Sequence, residues 1–220
     1  MQIISELAAS VAHEVRNPLQ VTRGFLQLLN VNTTEKTKKY LSLALDELDR
    51  ASDIITDFLT FAKPQLDHVA KLHLATEMKH IEGVLLPLTN LQGGEIVSNI
   101  PNDLYIKGNS AKFKQALINI IKNSIESLRG KGQIRISALK ERNDVVIVIR
   151  DNGEGMDEAT VAKLGQPYFS TKTKGTGLGL MVTFRIIEVM NGSIHFSSEL
   201  GVGTEVIIRI PFVQDERIDV

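Results

Sequence analysis

Two long stripes at helical spacing, the second closed by a Lys-Pro step, constrain how this chain of 220 residues begins. The first runs through Ile4, Leu7, Val11, Val15, Leu19, Thr22, Leu26 and Leu29 in alternating steps of three and four, which predicts one amphipathic helix. Asn30 to Thr34 interrupts it, and Asn32 with Glu35 three residues on reads as an N-cap with its capping-box partner, so a second helix starts here. Its stripe is Leu41, Ala44, Leu45, Leu48, Ala51, Ile55, Phe58, Leu59 and Ala62. Lys63-Pro64 ends it, because the residue before proline is pushed out of the α region. Residues 1–63 are therefore expected to form an antiparallel helical hairpin. Each stripe has apolar margins, among them Ala8, Ala12, Phe25 and Ile54, that one partner helix leaves wet. Two hairpins pairing as a homodimeric four-helix bundle would cover them.

Residues 64–67 read as a linker, and beyond them the period changes. Strands are expected at Lys71–Leu74, Glu95–Ile100, Leu104–Lys107, Gln133–Leu139, Val145–Arg150, Ser193–Ser198 and Gly203–Ile210. Helices fit Thr76–Leu91, Ser110–Leu128, Asp157–Val161 and Leu180–Met190. The expected fold of residues 68–220 is an α/β sandwich whose sheet is largely antiparallel, since strands follow one another directly at the C-terminal end. Lys plus Arg number 25 against Asp plus Glu 26, so the chain lacks the bulk positive potential that drives nucleic-acid binding. Cysteine is absent, which removes disulfides, thiolate metal sites and cysteine nucleophiles and fits a reducing compartment. No run is long enough to cross a bilayer, and Glu6 stands where a signal peptide needs an apolar stretch. Helical pattern from the first residues leads to the expectation that this is the later part of a longer protein.

Four residue clusters carry chemistry. Asp151-Asn152-Gly153-Glu154-Gly155-Met156 follows the apolar strand Val145 to Ile149, and taken alone it reads equally as a glycine-rich turn. Lys174-Gly175-Thr176-Gly177-Leu178-Gly179-Leu180 leads into an apolar helix. Glycine amides at a helix N-terminus, flanked by Lys172 and Lys174, make an anion cradle. The ending is neither that of a Walker A loop nor that of the dinucleotide fingerprint. Asn119 and Asn123 lie four apart on a strongly apolar helix, so their amides share a face. Amide oxygens suit a hard cation such as Mg²⁺, and idle asparagines on a buried helix are costly. Last, Ser10-Val11-Ala12-His13-Glu14-Val15-Arg16-Asn17-Pro18 places a histidine beside a glutamate, one turn before a proline that removes a helical hydrogen bond. The remaining histidines, His68, His73, His80 and His195, show no metal spacing and read as structural.

Taken together these clusters resemble the catalytic core of a sensor histidine kinase of two-component signalling, from about Ser5 to Phe212. His13 to Leu19 resembles the H box, Asn119 to Asn123 the N box and Asp151 to Gly155 the G1 box. Pro167 to Lys172 resembles the F box, Gly175 to Leu180 the G2 box, and Gly201-Val202-Gly203-Thr204 the final glycine motif. The order is that of the family, and within it the chain is similar to the sporulation sensor kinases of Bacillus-type bacteria. One departure stands out. Many such kinases carry lysine or histidine seven residues after the first N-box asparagine, where this chain has Glu126. Lys122, Lys172 and Lys174 are the basic residues left to meet phosphate.

The resemblance implies a dimerisation and phosphotransfer hairpin followed by an ATP-binding domain of the histidine-kinase, gyrase and chaperone type. It implies His13 as the phosphoacceptor for the γ-phosphoryl group of ATP, with Glu14 on the other ring nitrogen. Asn17 would orient a water in the reverse reaction. Asn119 would hold Mg²⁺, and Asn123 would lie by the phosphates. Asp151 would accept from the adenine amino group, with Gly153 and Gly155 admitting backbone and an ordered water to the base and Thr204 nearby. Gly175, Thr176, Gly177, Leu178, Gly179 and Leu180 would face the phosphates. A hinge between the domains, a homodimer, and a response-regulator receiver domain docking beside His13 follow, on a surface that would also take a protein inhibitor. The implied placement is the cytoplasmic catalytic portion of a kinase anchored to the membrane upstream. Two rivals are a water-activating ATPase of the same fold, which has a glutamate base where this chain has Asn119, and a dimeric ATP-binding scaffold without activity, against which His13, Glu14 and both asparagines speak.

Overall fold

The structure, a computed structural model, describes residues 19–24, 26–27, 34–62, 68–167, 169–172 and 177–214. The chain divides into two units, Met1–Gln65 and Leu66–Val220. In the first, residues 19–24, 26 and 27 are helical, and helix α1 spans Glu35–Ala62. Thr34 stands in the capping position of α1: its carbonyl accepts from the Lys38 amide at 2.9 Å and its hydroxyl meets the Thr37 hydroxyl at 2.9 Å. The helix therefore starts later than a cap at Asn32 predicts, and Asn32 itself lies outside the described residues. An ion pair at 2.8 Å between Arg23 and Asp49 joins the two helical segments. The expected linker also lies outside the described residues, apart from the bounds of the two units.

The second unit runs β1 Ala70–His73, α2 Leu74–Leu91, β2 Glu95–Asn99, β3 Tyr105–Gly108, α3 Ser110–Ser127, β4 Gln133–Glu141, β5 Asp144–Asp151, α4 Glu158–Val161, α5 Gly179–Val189, β6 Ser193–Glu199 and β7 Gly203–Pro211. Five strands form one sheet in the order β2-β4-β5-β7-β6, and β1 pairs with β3 in a separate two-stranded ribbon. The large sheet is antiparallel except for the β2–β4 pair. Parallel neighbours need a long crossover, here the segment through β3 and α3. Along β4, buried Ile134, Ile136 and Ala138 alternate with exposed Arg135, Ser137 and Leu139, as a one-sided sheet requires. In register with them, Ile147, Ile149, Val206 and Ile208 extend the buried face across β5 and β7.

The helical side of the core comes from Leu74, Met78 and Ile81 of α2, Phe113, Leu117, Ile120, Ile121 and Ile125 of α3, and Val182, Ile186 and Ile187 of α5. Helix α2 carries Pro87 in its interior without breaking. Pro87 and Gly83 one turn earlier are both exposed, so the carbonyl freed by the missing amide is reached by water, and glycine offers the ring no side chain to meet. Among the described residues no helix is long and apolar enough to cross a membrane.

Candidate nucleotide site

The site grows from the end of β5, one face of α3, the start of α5 and the start of β7. Strand pairing does the first part of the work. Asp151 ends β5 directly opposite Thr204 on β7, which brings two glycine motifs far apart in sequence side by side. The Asp151 carboxylate is then fixed through one oxygen: Oδ1 accepts from the Gly153 amide at 3.0 Å and the Thr204 amide at 3.2 Å, while the Ser127 hydroxyl, which donates to Ser124 O at 2.8 Å, lies 3.4 Å away. Among the described residues no donor meets Oδ2, which leaves that oxygen able to accept from a ligand N–H.

The glycines of this turn are needed by the protein itself. Gly155 has φ +64°, and a Cβ there would stand 1.9 Å from the Glu199 carbonyl oxygen. Gly203 has φ +137°, and its Cβ would stand 2.0 Å from the Asp151 carbonyl oxygen. At Gly153 a Cβ would meet Ser127, 2.1 Å from Oγ and 2.7 Å from the carbonyl oxygen. Close approach at Gly153 and Gly155 is made within the fold, by backbone and side chain: the 151–155 turn is seated against the end of α3 and the β6–β7 turn. Hydrogen bonds hold it there, from the Glu154 amide to Ser127 O at 2.9 Å, from the Gly201 amide to Glu154 O at 2.6 Å, and from the Met156 amide to Ser198 Oγ at 2.8 Å. Ser198 also meets the Thr204 hydroxyl at 2.9 Å.

On α3, Asn119, Asn123 and Ser127 follow one another at four-residue steps and so share a face. Asn119 Nδ2 donates to the Thr183 hydroxyl at 3.4 Å, and that hydroxyl donates to Gly179 O at 2.9 Å. The amide packs where a side chain at Gly179 would go, 2.7 and 3.0 Å from the position of its Cβ. With its nitrogen turned to Thr183, Asn119 presents Oδ1 as a hard neutral oxygen, which fits Mg²⁺. One turn on, Asn123 Oδ1 accepts from Lys172 Nζ at 2.8 Å, and Lys172 also pairs with Glu126. Lys122 lies 3.9 Å from the same carboxylate. Gly177 is left-handed at φ +69°, Leu178 is buried, and α5 begins at Gly179 with Leu180 in its first turn, no side chain of the cap residue bonding its amides.

Of the residues read from the sequence, the structure brings together Asn119, Lys122, Asn123, Asp151, Gly153, Gly155, Lys172, Gly177, Leu178, Gly179, Leu180 and Thr204. Lys174, Gly175 and Thr176 lie outside the described residues, as do His13, Glu14 and Asn17. Sequence reasoning missed Ser127, Thr183 and Ser198. Ser127 was within reach, since it continues the four-residue spacing of the two asparagines; Thr183 and Ser198 carry no local signal. Among the remaining histidines, His73 is built into the fold, with Nδ1 2.6 Å from Thr76 Oγ1 and Nε2 2.8 Å from Asn102 O.

A family model described as "His Kinase A (phospho-acceptor) domain" matches residues 3–66, and one described as "Histidine kinase-, DNA gyrase B-, and HSP90-like ATPase" matches residues 108–214. The chain belongs to the histidine kinases, with a phosphoacceptor hairpin domain followed by a catalytic domain of that ATPase type. It is 48% identical over 215 residues to Sporulation kinase B of Bacillus subtilis (strain 168), covering 96% of this chain and 50% of that protein. Sensor protein DegM of Bacillus sp. (strain B21-2) is 39% identical over 210 residues, at 96% of this chain and 55% of the relative. The chain thus spans about half the length of these relatives. Among solved structures, the catalytic domain of histidine kinase ThkA superposes with a TM-score of 0.61 at 26% identity, over 66% of this chain and 96% of that one. Full-length ShkA, solved in complex with AMPPNP, shares the fold at a TM-score of 0.82 and 23% identity, over 95% of this chain and 46% of that one.

Proposed function

We propose that the chain transfers the γ-phosphoryl group of ATP to His13 and passes it on to an aspartate of a response regulator, within a sporulation phosphorelay. The observation that carries the reading is the Asp151 carboxylate, held through Oδ1 by two backbone amides so that the other oxygen can accept from an adenine amino group. Guanine has a carbonyl at that position and would be refused. Thr204 supports Asp151 through its amide, and Gly153 and Gly155 let the turn close around it. Asn119 Oδ1 is the ligand for Mg²⁺, which when bound neutralises charge on the transferring phosphoryl group. Asn123, Lys122, Lys172 and Lys174 meet the phosphates, together with the Gly175, Thr176, Gly177, Leu178, Gly179 and Leu180 segment that leads into α5.

In the hairpin, a neutral imidazole is nucleophilic near pH 7 because the ordinary histidine pKa is about 6.5. His13 attacks the γ-phosphorus, the bond to the β-phosphate oxygen breaks, and Glu14 accepts the proton of the other ring nitrogen or its hydrogen bond. Asn17 serves the reverse reaction by orienting a water. The reading takes residues 1–63 as the dimerising hairpin, 64–67 as hinge and 68–220 as the catalytic domain. The hairpin would dock a receiver domain beside His13 and is the surface for any protein inhibitor. On this reading the chain is the cytoplasmic catalytic portion of a membrane-anchored sensor kinase.

Incubation with γ-labelled ATP and Mg²⁺ tests this. Label should survive alkali, fall off in acid, and be missing from His13→Gln and Asn119→Ala. Free phosphate with no label on His13 would place the chain with the hydrolysing ATPases of the same fold instead.

A further inference from the structure

Two lysines converge on one carboxylate beside Asn123. Lys122 Nζ lies 3.9 Å from Glu126 Oε1, one helical turn along α3. Lys172, 46 residues further on, reaches the other oxygen, Oε2, and donates to Asn123 Oδ1 at 2.8 Å. Lys172 is thus hydrogen-bonded to one carboxylate oxygen while Lys122 faces the other from 3.9 Å, and the three side chains together carry one net positive charge. The pair is open to water, with side chains 41% and 29% exposed at Lys172 and Glu126, a setting in which an ion pair adds little to folding. Its effect is on where the charges stand.

We infer that Glu126 is a positioning residue for nucleotide phosphate: it gathers Lys122 and Lys172 around the Asn123 amide before nucleotide binds. The inference rests on reading the Asp151 and Asn119 cluster as a nucleotide site and names what orders its cationic end. Without the carboxylate the two ammonium groups repel each other, and long lysine side chains regain rotamer freedom that binding must then remove. With it, part of that ordering is already in place in the free protein. An incoming phosphate takes over contacts to both lysines, while the site keeps one more positive than negative side-chain charge. The effect belongs to the phosphates that AMP lacks and not to the base, because among the described residues no contact of this cluster reaches Asp151.

The test is calorimetric titration of the full chain with AMPPNP and with AMP, each with Mg²⁺. Glu126→Gln should weaken AMPPNP binding about tenfold, leave AMP binding within about twofold and leave the thermal midpoint unchanged. Lys172→Ala should lose at least as much for AMPPNP. Glu126→Asp keeps the carboxylate and should bind AMPPNP more tightly than Glu126→Gln, a recovery that a role in packing alone does not give. Native-like or tighter AMPPNP affinity in Glu126→Gln, or Glu126→Asp no better than Glu126→Gln, overturns the inference. Asp151→Asn separates the two readings. If it leaves AMP and AMPPNP binding intact the nucleotide site itself is misplaced; if it abolishes both while Glu126→Gln changes neither, only the role of Glu126 falls.

Discussion

At Gly155 a single hydrogen atom in place of a side chain decides whether the 151–155 turn can close. Its backbone is left-handed and its Cβ position lies 1.9 Å from a carbonyl oxygen of the β6–β7 turn. Alanine there must bear both the left-handed penalty and a collision with backbone, which cannot swing aside as a flexible side chain would. Gly155→Ala should destabilise the catalytic unit by about 3 kcal/mol, and Gly203→Ala, facing Asp151 O, by a similar amount. Urea denaturation of the full chain measures it, and a loss under 1 kcal/mol for either would mean that the turn has another way to close. Gly130, left-handed but with open space around it, is the control, since its alanine variant carries only the backbone part. The fold by itself thus demands glycine at position 155.

Among the elements, α3 bears the most. One face packs Phe113, Leu117, Ile120, Ile121 and Ile125 into the core, and the adjoining edge carries Asn119, Asn123, Glu126 and Ser127. Its start is set by Asn109, whose side-chain oxygen accepts from the Lys112 amide at 3.0 Å while its carbonyl accepts from the Phe113 amide at 2.9 Å. Asn109→Ala should cost about 1 kcal/mol of stability, read from the shift in denaturation midpoint, with AMP affinity little changed because the site lies further along the helix. A large loss of AMP affinity at unchanged stability would show that the helix start acts on the site directly. The bounds of α3 and of every strand in the second unit were legible within about two residues, because the alternation of apolar and polar residues is a local property. The β1–β3 ribbon was not: nothing along either strand tells that they pair with each other instead of joining the large sheet.

For the whole molecule, the division into Met1–Gln65 and Leu66–Val220 assigns the proposed acceptor and the proposed nucleotide site to different units. Binding and acceptance should therefore separate. His13→Gln is expected to bind AMPPNP within about twofold of the native chain, to sediment as a dimer, and to take up no label; a tenfold weaker affinity would mean that the acceptor residue takes part in nucleotide binding. Sequence alone carried the helix and strand content of the second unit and the family, because periodicity and short motifs are each written within a few neighbouring residues. Tertiary structure alone decided which of those motifs meet, and how. The Asp151–Thr204 pairing, the Asn119–Thr183–Gly179 chain of contacts and the hold of Glu126 on Lys172 join residues 46 to 64 positions apart. Such contacts depend on strand register and helix placement, which are set by the packing of the entire core, so no local stretch of sequence encodes them.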